Sequence, residues 1–166
     1  MTTTTPTDEE RATLAKLLKK ARIALITTVS ADNQLVSRPM AVKDREFDGD
    51  LWFFTEDPSH KTEEVRTNPE VNVALESGSG WVSIAGLAEI VKDEAKIDEL
   101  WDTAAEAWFE HGRDDPKVAL LKVTARTAEY WSTDEPKPLV LFKYAKAAVT
   151  GGQPKVGESH TVDLEA

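Results

Sequence analysis

Ile23-Ala24-Leu25-Ile26-Thr27-Thr28-Val29, the turn formers Ser30 to Asn33, Leu35 to Lys43, the turn Asp48-Gly49-Asp50 and Leu51-Trp52-Phe53-Phe54-Thr55 together decide the fold. Branched and aromatic residues favour extended chain, and each short run ends in residues that suit tight turns. A strand meander follows. Pro39 stands inside the second run; because it cannot donate to a ladder, it implies an edge, a bulge or a ligand on that side.

Upstream, Thr7 and Glu10 form the Thr-x-x-Glu arrangement of a capping box, and Asp8, Glu9 and Glu10 suit the positive end of a helix dipole. Leu14, Leu17, Leu18 and Ala21 then recur every three to four residues, which predicts an amphipathic helix up to about Lys20. Downstream, Asp57 as N-cap and Pro58 as first helical residue predict a short helix carrying His60 and Lys61 in its first turn and ending at Asn68-Pro69. Val71 to Leu75 reads as a fourth strand, Ser77-Gly78-Ser79-Gly80 as a hairpin turn and Trp81 to Val91 as a fifth strand. Asp93 caps a longer predicted helix in which Ile97, Leu100, Trp101, Ala104 and Trp108 share one core-facing side, with Gly112 as its stop. Val118 to Trp131 completes a six-stranded reading: an α+β, mainly β domain built on an antiparallel barrel with peripheral helices. Leu139 to Tyr144 suggests one further short strand or packing segment. One domain over residues 1–150 and a mobile tail over 151–166 are expected.

Composition narrows the function. The 166 residues suit a single domain. Lys and Arg number 20 against 30 Asp and Glu, a formal charge of −10, and nucleic-acid binders usually show the reverse. No cysteine is present, which excludes disulfides, thiol nucleophiles and cysteine-ligated metal centres and suits a reducing cytoplasm. The apolar runs are short and interrupted by Lys or Arg, and the opening Met1-Thr2-Thr3-Thr4-Thr5-Pro6 has no basic-then-apolar leader, so neither membrane span nor secretory signal is expected. His60, His111 and His160 stand far apart without a His-x-x-x-His pair, so no metal site is expected. Ser77 occupies the place where a Gly-x-Ser-x-Gly elbow needs glycine, and Asp114 and Asp115 read as helix-terminating and turn residues. No general acid or base stands out.

Against the acidic background, Arg38, His60 and Lys61 concentrate positive charge. Cations in the first turn of a helix oppose its dipole, and a bound phosphate would relieve that conflict, with Thr55 as an added hydroxyl donor. Pairing of Arg38 with a neighbouring carboxylate and solvation of His60 and Lys61 are the alternative.

Order and spacing carry a resemblance. Arg38-Pro39-Met40-Ala41-Val42, Leu51-Trp52-Phe53-Phe54-Thr55 and Ser59-x-Lys61 resemble the flavin-binding signature of pyridoxamine 5′-phosphate oxidase-like split barrels. Ala107-Trp108-Phe109, Gly112, Asp114-Asp115-Pro116, Leu120-Leu121-Lys122-Val123 and Ala128-Glu129-Tyr130-Trp131 are similar to the general stress protein 26 branch. The resemblance implies a split β-barrel that pairs into a homodimer with flavin mononucleotide (FMN) at the interface. Arg38, Thr55, His60 and Lys61 would hold the phosphate, Met40, Ala41 and Phe54 would border the ring, and Trp81 and Trp131 would come from the partner. It further implies a stress-related oxidoreductase passing electrons from a donor such as NADH or NADPH to a small acceptor. A non-catalytic flavin sensor is the alternative of another class; the deazaflavin F420 and FAD are alternative cofactors. Trp131 is followed by Ser132-Thr133-Asp134-Glu135-Pro136 rather than the Arg-Leu and Arg-x-Trp region of true pyridoxamine phosphate oxidases, so a substrate other than vitamin B6 is expected.

Overall fold

The structure, a computed structural model, describes residues 7–43, 45–78, 80–132 and 158–164. Helix α1 (Asp8–Lys20) begins where the capping box predicts: Thr7 accepts the Glu10 amide at 3.2 Å, and the Glu10 carboxylate accepts the Thr7 amide at 2.9 Å. Its buried stripe of Leu14, Leu17 and Leu18 packs into the barrel core.

Strands β1 (Ile23–Val29), β2 (Leu35–Ala41), β3 (Asp50–Glu56), β4 (Glu70–Glu76), β5 (Gly80–Val91) and β6 (Val118–Ser132) form one antiparallel sheet in the order β2-β1-β4-β5-β6-β3. Alternation along β1 and β4 sends Ala24, Ile26, Val73 and Leu75 inward and leaves Ile23 and Leu25 exposed. The sheet curls until β2 and β3 approach one another, but among the described residues β2 pairs only with β1 and β3 only with β6. That unpaired seam is the split in the barrel, and Pro39 lies on its β2 side, consistent with the edge reading of the proline. A register shift at Ala85/Gly86 helps bend β5 around the core. A Cβ at Gly86 would run into the Thr124 carbonyl oxygen, so glycine is required there.

Three expectations need correction. The helix after β3 is α2 (His60–Thr67), capped by Ser59 rather than Asp57: the Ser59 hydroxyl accepts the Thr62 amide at 3.3 Å, and Thr62 returns the contact to the Ser59 amide at 2.9 Å. Asp57 is instead drawn inward, into ion pairs with Arg66 at 2.8 Å and Lys92 at 3.0 Å. The helix expected from Asp93 through Trp108 is two helices, α3 (Glu94–Leu100) and α4 (Thr103–Trp108), because Asp102 caps a fresh turn by accepting the Ala105 amide at 2.9 Å. A seventh strand, β7 (Glu158–Asp163), lies inside the expected mobile tail and pairs with the second half of β6, where it buries Val162. One apolar residue among polar ones is a weak signal, and only the free edge of β6 turns it into a strand. Leu139 to Tyr144 lies outside the described residues.

The interior of the barrel is one core, from Leu14 to Val162. A smaller core of Ile97, Leu100, Phe109, Val118 and Leu120 fastens α3 and α4 to the outside of β3 and β6. Among the described residues no helix is long and apolar enough to cross a membrane.

Candidate functional site

A cleft of about 500 Å³ opens at the split. One wall is the end of β2, with Pro39, Met40 and Ala41; another is β3, with Phe54 and Thr55. The first turn of α2 brings Ser59 and Lys61, and α4 closes the remaining side with Ala104, Ala105 and Trp108.

Lys61 is the electrostatic centre of this cleft. Its ammonium sits 3.3 Å from the thioether sulfur of Met40, and among the described residues no carboxylate lies within ion-pair distance of it. Burial pushes its pKa down, and the neighbouring Arg38 charge pushes it further; Glu56 and Glu64 oppose the shift from a distance. A half-buried ammonium with only a weak acceptor is short of negative charge. Beside it, the amides of His60 and Lys61 open the helix without a protein acceptor among the described residues, since the cap satisfies Thr62 and Glu63. Thr55, buried, adds a hydroxyl to the lining.

The expected site residues divide into three groups. Met40, Ala41, Phe54, Thr55 and Lys61 meet in the cleft. Arg38 and His60 do not line it. The Arg38 guanidinium forms a two-pronged pair with Glu64, at 2.8 and 3.0 Å, and donates to the Thr28 hydroxyl at 2.9 Å. Arg38, followed by Thr28, holds the Glu64 carboxyl below its ordinary range despite burial. His60 is exposed at the helix start, near Glu64. Trp81 and Trp131 face each other across β5 and β6 and line a second concavity of about 570 Å³ with Leu25 and Ala74. Ile23 lines both hollows, so the outer sheet face runs continuously into the cleft.

Sequence reasoning passed over Lys43 and misplaced Trp108. Lys43 lies two residues beyond Ala41, and the strand period from Pro39 through Ala41 would have pointed to it. Its ammonium sits 4.6 Å from the Phe54 ring centroid and pairs with Asp102 at 2.8 Å. Trp101 and Trp108 do not share a buried face. The chain breaks helix at Trp101 and Asp102, so the seven-residue spacing does not carry through; Trp101 packs edge-on against Phe54, whereas Trp108 is 75% exposed at the cleft.

Comparison with known proteins agrees with this architecture. The profile of the family described as pyridoxamine 5′-phosphate oxidase like matches residues 9–155. Protein bli-3 of Neurospora crassa is 31% identical over 140 residues, which cover 77% of this chain and 67% of that protein. General stress protein 26 of Bacillus subtilis is 30% identical over 92 residues, covering 52% of this chain and 65% of the relative. The matches thus span about two thirds of the length of these relatives. Among solved structures, a general stress protein 26 from Jannaschia sp. CCS1 superposes with a TM-score of 0.72 at 26% identity, covering 92% of this chain and 99% of that one. A general stress FMN/FAD binding protein from Xanthomonas citri superposes with a TM-score of 0.69 at 28% identity, covering 78% of this chain and 93% of that one.

Proposed function

Because the chain belongs to the pyridoxamine 5′-phosphate oxidase-like family, in its general stress protein group, we propose that its cleft binds flavin as FMN. The protein then serves as an oxidoreductase between a reduced donor such as NADH or NADPH and a small acceptor. The observation that carries the reading is Lys61, a half-buried ammonium whose close partner is a thioether in a cleft of about 500 Å³. A phosphate there restores the missing negative charge and receives the open amides at the start of α2. Thr55 lies within the same lining, and the Arg38–Glu64 pair stands behind it. Pro39, Met40, Ala41 and Phe54 supply the apolar border that a planar ring requires. A bound flavin supplies the electron chemistry itself, and the chain's residues bind, orient and shield it.

The site is completed by a second copy of the chain. The outer sheet face exposes Ile23, Leu25, Trp81 and Trp131, and this apolar face continues into the cleft through Ile23. In a homodimer packed on that face, Trp81 and Trp131 of one protomer reach the flavin of its partner. The net charge of −10 disfavours the polyglutamate tail of F420 and so favours FMN over it.

The test is release of the cofactor under mild conditions, followed by mass spectrometry. FMN is expected; FAD or F420 would replace it as the occupant. Colourless protein that takes up no added FMN would overturn the reading. Anaerobic mixing with NADH and NADPH then separates reductase from sensor: bleaching of the flavin supports turnover, and an unreduced flavin supports a sensing role.

A further inference from the structure

Trp108 is 75% exposed, although Ala105 before it and Phe109 after it are 3% and 2% exposed. The helix that carries it is firmly held. Asp102 caps α4 through the Ala105 amide and pairs at 2.8 Å with Lys43, whose side chain is only 7% exposed. Trp101 donates its indole N–H to Glu106 at 2.8 Å and packs at 5.3 Å from Phe54. Phe109 closes the other end of the helix against the same Phe54 ring, 6.2 Å away.

Both ends of α4 are therefore fastened to the β3 wall of the cleft. Ala104 and Trp108, four residues apart, share one helix face and both line the cleft. The small alanine leaves space in the wall, and the indole stands beside that space. An isolated exposed tryptophan needs no explanation. One set on a doubly anchored helix, in the same cleft as an ammonium that meets no carboxylate among the described residues, does.

We propose that Trp108 packs its indole against the planar ring of the flavin whose phosphate Lys61 holds. This rests on the flavin reading above. It gives the chain an aromatic ring contact of its own, on the α4 side of the cleft, in addition to any contributed by a partner. Offset or edge packing between an indole and a tricyclic ring suits both surfaces, and covering the indole removes a large apolar area from water.

The experiment is titration of FMN and of riboflavin, which has the ring without the phosphate, into protein stripped of cofactor. Wild type, Trp108→Ala, Trp108→Phe and Lys61→Met are compared by binding affinity. Trp108→Ala is expected to weaken both ligands about tenfold, the scale of an aromatic pair, and Trp108→Phe is expected to restore most of the loss. Lys61→Met weakens FMN and leaves riboflavin nearly unchanged. Because the indole is solvent-exposed, melting of the Trp108 variants should match wild type. Wild-type affinity of Trp108→Ala for both ligands, or a loss confined to FMN, overturns the ring contact while the flavin reading stands. Failure of the wild-type protein to bind either ligand overturns the flavin reading itself.

Discussion

At the scale of single residues, Lys61 and Arg38 show how neighbours decide what a charge can do. Both were expected at one phosphate, but Arg38 has its fork filled by Glu64 and Thr28, whereas Lys61 faces a sulfur. The difference comes from β2 geometry: Met40 is buried at the cleft, and Arg38, two residues earlier, meets α2 from the side. Lys61→Met should therefore weaken FMN binding about 10- to 100-fold, the loss of one charge-assisted contact of about 1.5–3 kcal/mol. The cofactor-free variant should be at least as stable as wild type. A lysine whose folded pKa lies below its unfolded value opposes folding at neutral pH. That opposition fades as pH rises from the lowered folded value towards the ordinary 10.5. FMN affinity should correspondingly fall as pH rises through the lowered value, and titrations across alkaline pH check it. Affinity independent of pH there, in wild type and variant alike, would remove Lys61 from the site.

At the scale of elements, the loop between β3 and α2 is fixed by Asp57. Its buried carboxylate ties Arg66 near the end of α2 and Lys92 just past β5, so the helix cannot shift along the barrel. Arg66 first, and Lys92 with it, hold the Asp57 carboxyl far below the usual carboxylate range despite burial. Asp57→Asn should cost about 1.5–3 kcal/mol at neutral pH, the range for hydrogen bonds to charged groups, as read by urea unfolding. The sign with pH follows. Stability from a depressed carboxylate is present above the unfolded value of 3.8 and is lost as pH falls towards the folded one, so wild type and variant should converge in acid. A constant gap down to strongly acidic pH would mean that packing, not charge, accounts for the loss. Because α2 presents Lys61, weaker FMN binding should accompany the substitution.

At the scale of the whole molecule, the split and the apolar outer face belong to one surface, joined at Ile23. Trp81→Glu places a carboxylate opposite Trp131 and beside Glu76 without disturbing the core, since Trp81 is 56% exposed in the single chain. Sedimentation should show wild type as a dimer and this variant as a monomer with an intact far-ultraviolet spectrum. Its flavin affinity should fall together with dimerisation. A wild-type monomer that binds FMN tightly would instead make each cleft self-sufficient.

Elements written in local code were legible in the sequence. The Thr7–Glu10 and Asp93–Lys96 caps span three residues, and the strand runs carry their own alternation and turns. The gathering of Met40, Phe54, Thr55 and Lys61 was accessible through motif order, because β2, β3 and α2 are consecutive in the chain. The rest depended on contacts that local code does not contain. Lys43 meets Asp102 across 59 residues, and Arg38 meets Glu64 across 26. The Asp102 cap competes with a continuous helical stripe, and β7 needs an edge formed by distant chain. Local propensity and capping act over a few residues, so the sequence by itself determined α1, the six strands β1 to β6 and the presence of helix after β3 and β5, but not the break between α3 and α4 or the strand β7. Only the closed-up sheet decided which strand edges stay unpaired, which charges find partners, and which lysine is left facing an open cleft.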